Sequence, residues 1–302
     1  MSLYPPPAPI KAEVFTRMPE HLRKRVRTAW ADFNKAGQIA DCFLEGPSFD
    51  RQGNLWVTDI PHGRVFKISP AGEWIQVAEY DGWPNGLKLH KDGRAFITDY
   101  KRGIMVLDPA SGKVAPLLET VRSESFKGVN DLHFAANGDL YFTDQGQTGL
   151  HDPTGRVYRY TADGKLTCLV DTVPSPNGLV LNLHENVLFV AVTRANAVWR
   201  IPLAIDGGVT KVGLAVQLSG GLAGPDGLAL DAEGGLIVAH AGMGCWRFDA
   251  LLRPTHFIDP IVGRFVTNVA FKGNRLYMTE SESGSILTAD LPAPGKTMYG
   301  QS

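Results

Sequence analysis

The sequence has few cysteines, no excess of charge of either sign and no long apolar run. The cysteines are odd in number, at Cys42, Cys168 and Cys245, and form no Cys-x-x-Cys pair. This argues against a disulfide framework or a thiolate zinc site and predicts reduced, buried thiols. The 30 basic and 31 acidic residues nearly cancel, so the chain lacks the basic surface that is typical of nucleic-acid binding.

Signals for membranes, export and a serine nucleophile are lacking as well. No run of 18 apolar residues exists, so we expect no membrane-spanning helix. Residues 1–17 are rich in proline and have no apolar core behind a basic end, which is unlike a secretory signal and predicts a cytoplasmic protein. No Gly-x-Ser-x-Gly motif occurs. With nearly balanced charge, we expect a small-molecule ligand, no nucleic acid and no membrane as partners. We also expect a monomer or a weak homo-oligomer.

Glycine (33 residues) and proline (20 residues) are plentiful and separate short runs of Val, Ile, Phe and Leu, which indicates many short strands. One pattern recurs six times, with starts 40, 45, 47, 49 and 42 residues apart, at Glu45, Asn85, Asn130, Asn177, Asp226 and Asn268. This spacing is typical of a four-stranded propeller blade. The sequence therefore predicts an all-β fold, a six-bladed β-propeller, in a single domain over residues 1–302.

The last copy ends near Leu291 without a fourth strand, and an open ring would expose an unpaired edge. We expect residues 11–17 to fill this edge. Residues 20–36 predict one amphipathic helix packed on the propeller, because apolar side chains recur at helical spacing at Leu22, Val26, Trp30 and Phe33. The predicted organisation is a closing strand and helix in residues 1–44, six blades in 45–292 and a tail in 293–302.

The first residue of each copy carries a side-chain oxygen, and we name these six residues the ring. The first strand of each propeller blade lines the central channel, so the six side chains should converge on the axis. The alternative is that the Asn-Gly and Asp-Gly pairs are only hairpin turns. In most copies a second glycine follows eight residues later, and several ring residues come directly after proline. Both features favour a functional ring.

Two carboxylates and several amides, without clustered His or Cys, form a set of hard oxygen ligands. Such a set suits Ca²⁺, with Mg²⁺, Mn²⁺ or Zn²⁺ as alternatives. We expect Glu45 and Asp226 to bind the cation, because an uncompensated carboxylate on the axis would be costly to desolvate. The sequence thus predicts one divalent cation at the axial mouth.

Four separated motifs resemble those of the SMP-30/gluconolactonase/LRE family of propeller hydrolases over about residues 40–292. The motifs are Leu-Glu-Gly-Pro, Val-Asn-Asp, Ser-Pro-Asn-Gly-Leu and Gly-Pro-Asp-Gly-Leu, which begin at Leu44, Val129, Ser175 and Gly224. The resemblance implies a calcium-dependent six-bladed propeller lactonase. It implies metal ligands at Glu45, Asn177 and Asp226, Asn130 as a ligand or substrate contact, and Asp226 as the base.

One position departs from the family. Many members have an arginine two residues before the asparagine that matches Asn130, whereas this chain has Gly128 with Lys127 beside it. The resemblance does not extend to this position.

The resulting hypothesis is a metal-dependent hydrolase that opens a small lactone, a sugar lactone or a related cyclic ester. The metal would polarise the carbonyl group and Asp226 would act as general base. Two alternatives stay open. The ring also resembles propeller phosphotriesterases of the organofluorophosphate-hydrolysing type, in which the aspartate attacks phosphorus, and a non-catalytic binding propeller would hold a structural calcium.

Positions about fourteen residues after the ring return to the same face of the propeller, at Asp59, Asp99, Asp144, Ala191, His240 and Glu280. For the three aspartates we favour hydrogen bonds to loop backbone over chemistry. His240 is a candidate for proton transfer or a structural histidine. The long loop after Asp144 is a candidate lid. The side chains predicted to bind substrate are Asn85, Asn130, Gln145, Gln147, Arg194, His240 and Asn268.

Overall fold

The computed structural model of the chain describes residues 4–302, and it consists mainly of strands. Six sheets succeed one another along the chain, each with four antiparallel strands, and one of them gains a fifth, parallel strand. The first strand of each blade packs beside the first strand of the next, and that of the last blade packs beside that of the first. The ring is therefore closed, and the predicted all-β, six-bladed propeller is confirmed.

Two strands, β1 (Ala8–Lys11) and β2 (Glu13–Arg17), precede the blades. Blade 1 contains β3 (Leu44–Phe49), β4 (Leu55–Asp59), β5 (Arg64–Ile68) and β6 (Trp74–Glu79). Blade 2 contains β7 (Pro84–Leu89), β8 (Ala95–Asp99), β9 (Gly103–Leu107) and β10 (Val114–Leu118). A small hairpin follows, formed by β11 (Thr120–Val121) and β12 (Glu124–Ser125).

Blade 3 contains β13 (Val129–Phe134), β14 (Leu140–Asp144), β15 (Gly155–Tyr160) and β16 (Leu166–Val173). Blade 4 contains β17 (Pro176–Leu181), β18 (Val187–Val192), β19 (Ala197–Pro202) and β20 (Gly213–Gln217). Blade 5 contains β21 (Gly224–Leu230), β22 (Leu236–Ala241), β23 (Gly244–Phe248) and β24 (Pro254–Asp259). Blade 6 contains β25 (Val266–Lys272), β26 (Arg275–Glu280) and β27 (Ser285–Asp290).

The N-terminal strands complete the last two blades. Strand β2 pairs antiparallel with β27 and supplies the missing fourth strand of blade 6, as predicted for this segment. Strand β1 pairs parallel with β24 and adds a fifth strand to blade 5, which the sequence did not predict. Both outer edges at the junction are therefore covered.

Apolar side chains fill the space between neighbouring blades. Buried clusters lie at each of the six interfaces, from that between blades 1 and 2 to that between blades 6 and 1. Strand alternation explains this arrangement, because side chains on both faces of each blade meet a neighbouring blade. The core is consequently a ring of interfaces around the axis.

The predicted N-terminal helix exists but is much shorter than residues 20–36. An α-helix, α1 (Ala29–Asn34), is preceded by a short 3-10 turn at Glu20–Leu22. Trp30 packs against the blade, whereas Phe33 is 72% exposed. Arg23 binds Asp41 and the backbone carbonyl of Ser283. These contacts hold residues 23–28, between the 3-10 turn and α1, out of a helical conformation. Tertiary contacts therefore override the helical periodicity.

The prediction for the thiols is correct for two of the three cysteines. Cys42 and Cys245 are buried, whereas Cys168 is exposed. Cys168 lies on the outermost strand of blade 3, where alternate side chains face solvent. Burial raises the pKa of all three thiols, so none is a ready nucleophile. Among residues 4–302, no helix is long and apolar enough to cross a membrane.

Candidate active site

A bulge accompanies the ring residue in the first strand of every blade. The pairing of first and second strands shifts register there, for example between Glu45 and Ser48 and between Pro225 and Leu228. Equivalent shifts occur in the other four blades. A bulge redirects a side chain and here it also accommodates the proline that precedes several ring residues. The ring residues therefore lie inside first strands and not at hairpin tips.

The glycine after a ring residue allows neighbouring first strands to approach closely. A Cβ atom on Gly46 would lie 2.5 Å from the carbonyl oxygen of Asn85, and one on Gly178 would lie 2.6 Å from the Cα of Gly227. Any side chain would push the strands apart. The Asn-Gly and Asp-Gly pairs thus serve close packing around the axis.

Glu45 lies on the axis within a network that joins three blades. Its Oε2 accepts hydrogen bonds from the backbone N–H of Gly46 at 2.7 Å and from the side-chain amide of Asn268 at 2.9 Å. The same amide donates to Oδ2 of Asp131 at 3.1 Å. Burial, followed by the charge of Asp131, raises the pKa of Glu45 to about 7. Both hydrogen bonds to Glu45 end on Oε2, which leaves Oε1 for a ligand.

Asp226 is the third carboxylate of this group. Burial, followed by the charges of Glu45 and Asp131, raises the pKa of Asp226 well above its ordinary value, while the amide of Asn177 opposes the rise. Such a shift indicates that three like charges face one another in a desolvated place. A bound cation would relieve that repulsion.

Asp131 belongs to the site although the sequence analysis did not select it. It is 2% exposed, and Nζ of Lys88 lies 4.0 Å from its Oδ1. It occupies the position after the ring residue, where four other blades have glycine. A carboxylate at a repeat position that is otherwise mostly glycine could have been recognised from the sequence as a candidate site residue.

The donor set fits a divalent cation with oxygen ligands. The Oδ1 atoms of Asn85 and Asn177 are buried and accept no hydrogen bond from the described residues. A buried carbonyl oxygen without a partner is costly, and a hard cation would satisfy it. No group of three or more His, Cys, Asp or Glu among residues 4–302 is a metal site by itself, so amide oxygens would have to complete the coordination.

Threonines on second strands fix the backbone of the ring. The hydroxyl of Thr58 donates to the carbonyl of Asn85, that of Thr98 to the carbonyl of Asn130, and that of Thr143 to the carbonyl of Asn177. Each bond joins one blade to the ring residue of the next. These buried contacts set the height of the ring side chains along the axis.

The aspartates that follow these threonines hold the loops at the mouth. Asp59 accepts from the backbone of Phe43 at 2.7 Å, Asp99 from Trp83 at 3.0 Å and Asp144 from Gly128 at 2.8 Å. The predicted role as backbone acceptors is therefore confirmed for all three. Asp59 and Asp144 are also paired with arginines.

A cleft of about 540 Å³ opens beside the ring and is bordered by the loop after β14. Gln145 connects the cleft to the ring, because its side chain accepts a hydrogen bond from the Asn130 amide at 2.8 Å and donates one to the Ser175 hydroxyl at 2.9 Å. Gln147 donates to the Tyr100 hydroxyl at 3.1 Å. Ser175 has φ of +67°, which is unusual outside glycine and typical of strained functional segments.

The remaining walls of the cleft carry Arg194 and His151. Arg194 lies in the short turn Thr193–Ala195, which packs on β21 near Asp226. Four predicted substrate-binding residues therefore lie together, with Asn130 just below Gln145, Gln147 and Arg194.

Three other predicted substrate-binding residues lie elsewhere. His240 is fully buried, accepts from Nε1 of Trp246 at 3.2 Å and does not line the cleft, so the structure favours the structural alternative. Asn268 is 1% exposed, and its amide is committed to the carboxylates of Glu45 and Asp131. Asn85 is buried in the ring and has the unpartnered oxygen described above.

The departure at Gly128 has a structural counterpart. A Cβ atom on Gly128 would lie 2.7 Å from the ring of Tyr100, and the φ of Gly128 is +148°. The aromatic ring therefore occupies the space that a side chain at position 128 would need. Position 128 itself therefore offers no cationic contact to a substrate.

The opposite end of the channel is closed. Lys88 and His133, three residues after their ring positions, line an internal cavity of only about 30 Å³ together with Lys296 and Met298 of the C-terminal segment. Tyr299 stacks on Phe134 with ring centroids 5.3 Å apart. Access to the ring is therefore from the cleft side.

The chain is similar to known proteins over most of its length. A family model for the SMP-30/gluconolactonase/LRE-like region matches residues 43–282. A lactonase, drp35, from Staphylococcus aureus is 33% identical over 226 residues, which cover 71% of this chain and 67% of that protein.

Two solved structures share the fold at lower identity. A gluconolactonase from Xanthomonas campestris has 22% identity and a TM-score of 0.74, with 96% of this chain and 99% of that chain covered. A calcium-binding protein, regucalcin, from Agrobacterium tumefaciens has 21% identity and a TM-score of 0.75, with 96% and 97% covered. The family match over residues 43–282 and the lactonase relative show that the chain belongs to the SMP-30/gluconolactonase/LRE-like family of enzymes.

Proposed function

We propose that the protein is a metal-dependent lactonase that opens a small cyclic ester, with Ca²⁺ in the ring and Asp226 as general base. The observation that supports this most is the meeting of Glu45, Asp131 and Asp226 beside amide oxygens without partners, below an open cleft. The names of the relatives, a lactonase and a calcium-binding protein, agree with it.

The proposed ligands are Glu45, Asn177 and Asp226, with Asn130 as a further ligand or a contact to substrate. Asp131 is held by Lys88 and the Asn268 amide, so we assign it to the second layer. A bound divalent cation would polarise the ester carbonyl and stabilise the negative charge that develops on its oxygen.

Asp226 accepts a proton from the attacking water, whose oxygen forms the new bond to the carbonyl carbon. Asp226 would coordinate the cation through one carboxylate oxygen and take the proton with the other. The bond between the carbonyl carbon and the ring oxygen then breaks. That oxygen takes the proton from Asp226, and the product is an open hydroxy acid.

Metal analysis of purified protein, followed by hydrolysis of a panel of lactones with and without chelator, tests the proposal. We expect bound Ca²⁺ and turnover that chelation abolishes and added Ca²⁺ restores. Turnover that is indifferent to chelation would contradict the metal role. One turnover in heavy-oxygen water should label the product and leave Asp226 unlabelled, whereas label in Asp226 would indicate a nucleophile, as in the phosphotriesterase alternative.

A further inference from the structure

Arg194 is a cation without a partner at the wall of the cleft. Its side chain is exposed and makes no ion pair or hydrogen bond with residues 4–302. The side chains of Arg194 and His151 meet across Gly149, where an added Cβ atom would lie 3.6 Å from Cγ of Arg194 and 3.1 Å from Nδ1 of His151. The aliphatic part of the Arg194 side chain thus lies beside Gly149, and its guanidinium end is free for a ligand.

The rest of the cleft offers no acid to pair with this arginine. None of the described residues that line it is Asp or Glu, and Gln145, Gln147 and Tyr100 line it with uncharged polar side chains. Other exposed guanidinium groups of this protein have a carboxylate within reach, as those of Arg94 and Arg253 do. The cleft therefore has a positive wall.

The charge of Arg194 acts on Asp226 at a distance, but the carboxylates of Glu45, Asp131 and Asp226 can be balanced without it. This step rests on the proposed function. The two positive charges of a divalent cation and the one of Lys88 equal the three negative charges of these carboxylates. Lys35, the other cation near Asp226, lies over the ring of Phe265 at 4.1 Å and beside Glu282. Arg194 is left over, and it faces the space that a substrate would fill.

We infer that the natural cyclic ester carries a carboxylate, and that Arg194 binds this group and so determines specificity. Arg194 presents paired N–H donors that match a carboxylate in a bidentate manner. The ester group then reaches the ring past Gln145, while the carboxylate stays on the Arg194 wall.

A matched pair of lactones tests the inference through kinetics. The probes are γ-butyrolactone and γ-carboxy-γ-butyrolactone, which differ only in the carboxylate. Wild type should prefer the carboxylated lactone. Arg194→Met should lower kcat/KM for it about tenfold to a hundredfold, mainly through KM, and change the neutral lactone little. Arg253→Met, which removes an exposed arginine paired with Asp249, should change neither. Equal losses for both lactones, or no preference in wild type, would overturn the inference.

Binding of lactams separates this inference from the proposed function. Pyroglutamate and pyrrolidone are the corresponding lactams, and calorimetry measures their affinities without turnover. Pyroglutamate should bind wild type more tightly than pyrrolidone does, and Arg194→Met should remove the difference. If no lactone is hydrolysed but this difference exists, the proposed function fails and the anionic ligand stands. If lactones are hydrolysed but the two lactams bind equally, the inference fails alone.

Discussion

Four blades end their second strand with a hydroxyl and an acid, and two do not. Blades 1, 2 and 3 have Thr-Asp at this place and blade 6 has Thr-Glu, whereas blades 4 and 5 have Val192 and His240 at the position of the acid. The four acids tie loop backbone. Blades 4 and 5 instead supply Asn177, with its unpartnered oxygen, and Asp226, with its raised pKa. The difference teaches that an acid at the end of a second strand holds loop backbone, and that the proposed ligands come from first strands in blades with and without this tie.

The largest expected effect separates Asp226 from the structural acids. Asp226→Asn removes the proposed base and should lower kcat about a thousandfold while the protein stays folded. Steady-state kinetics with circular dichroism measures this, and Asp290→Asn, at an exposed position, serves as the control. Undiminished kcat would remove Asp226 from the mechanism.

The second prediction concerns a structural acid of blade 1. Asp59→Asn leaves Arg64 buried without its partner, since the two side chains are 0% and 1% exposed and 2.6 Å apart. We expect the free energy of unfolding to fall by about 3–5 kcal/mol, with kcat of the folded fraction nearly unchanged. Urea unfolding measures the loss. A large drop in kcat at full stability would place Asp59 in the chemistry and break the comparison.

The third prediction concerns Glu45, whose replacement should change the affinity for Ca²⁺, whereas that of Asp226 should change kcat and that of Asp59 the stability. Glu45→Gln keeps the shape and the hydrogen-bond acceptor but removes a charge, so the affinity for Ca²⁺ should fall on the order of a hundredfold. Calorimetry on metal-free protein measures it, with Glu280→Gln of blade 6 as the matched acid that ties a loop. Unchanged affinity in Glu45→Gln would contradict its assignment as a ligand.

The smallest effect tests the link between the two groups of blades. The hydroxyl of Thr143 donates to the Asn177 carbonyl at 2.8 Å and accepts from the Asp131 N–H at 3.1 Å. Thr143→Val should lower the free energy of unfolding by about 1–3 kcal/mol and weaken Ca²⁺ binding about tenfold. Thr58→Val breaks the same tie at Asn85, which is not among the proposed ligands, and should weaken Ca²⁺ binding less than Thr143→Val does. Equal Ca²⁺ affinities in the two variants would show that the tie has no role in the site.

The fold was predictable because each blade repeats the same physical requirements at the same spacing. The oxygen-bearing ring residue, the following glycine and the second-strand turn recur with the blade period, so errors in one copy do not mislead. The N-terminal helix has no such redundancy. Its apolar periodicity was real, but the contacts of Arg23 with Asp41 and Ser283 keep the chain extended there.

The site was predictable at the level of the ring and less so around it. Glu45, Asp226 and Asn177 follow from the repeat, and Asp131 was missed although it breaks a column of glycines. The packing of Tyr100 over Gly128 and the burial of His240 depend on how neighbouring blades and loops meet. Such contacts join residues with no fixed spacing in the sequence.

The seam between the last and first blades passes through the carboxylate cluster. The Asn268 amide reaches Glu45 across 223 residues of chain, and β2 locks blade 6 from the N-terminal side. During synthesis the cluster cannot assemble until the final blade has emerged and the two chain ends have met, which is a slow, non-local event. A cation that binds only the fully assembled cluster would stabilise the closed propeller relative to every partly assembled form, by the free energy of its binding.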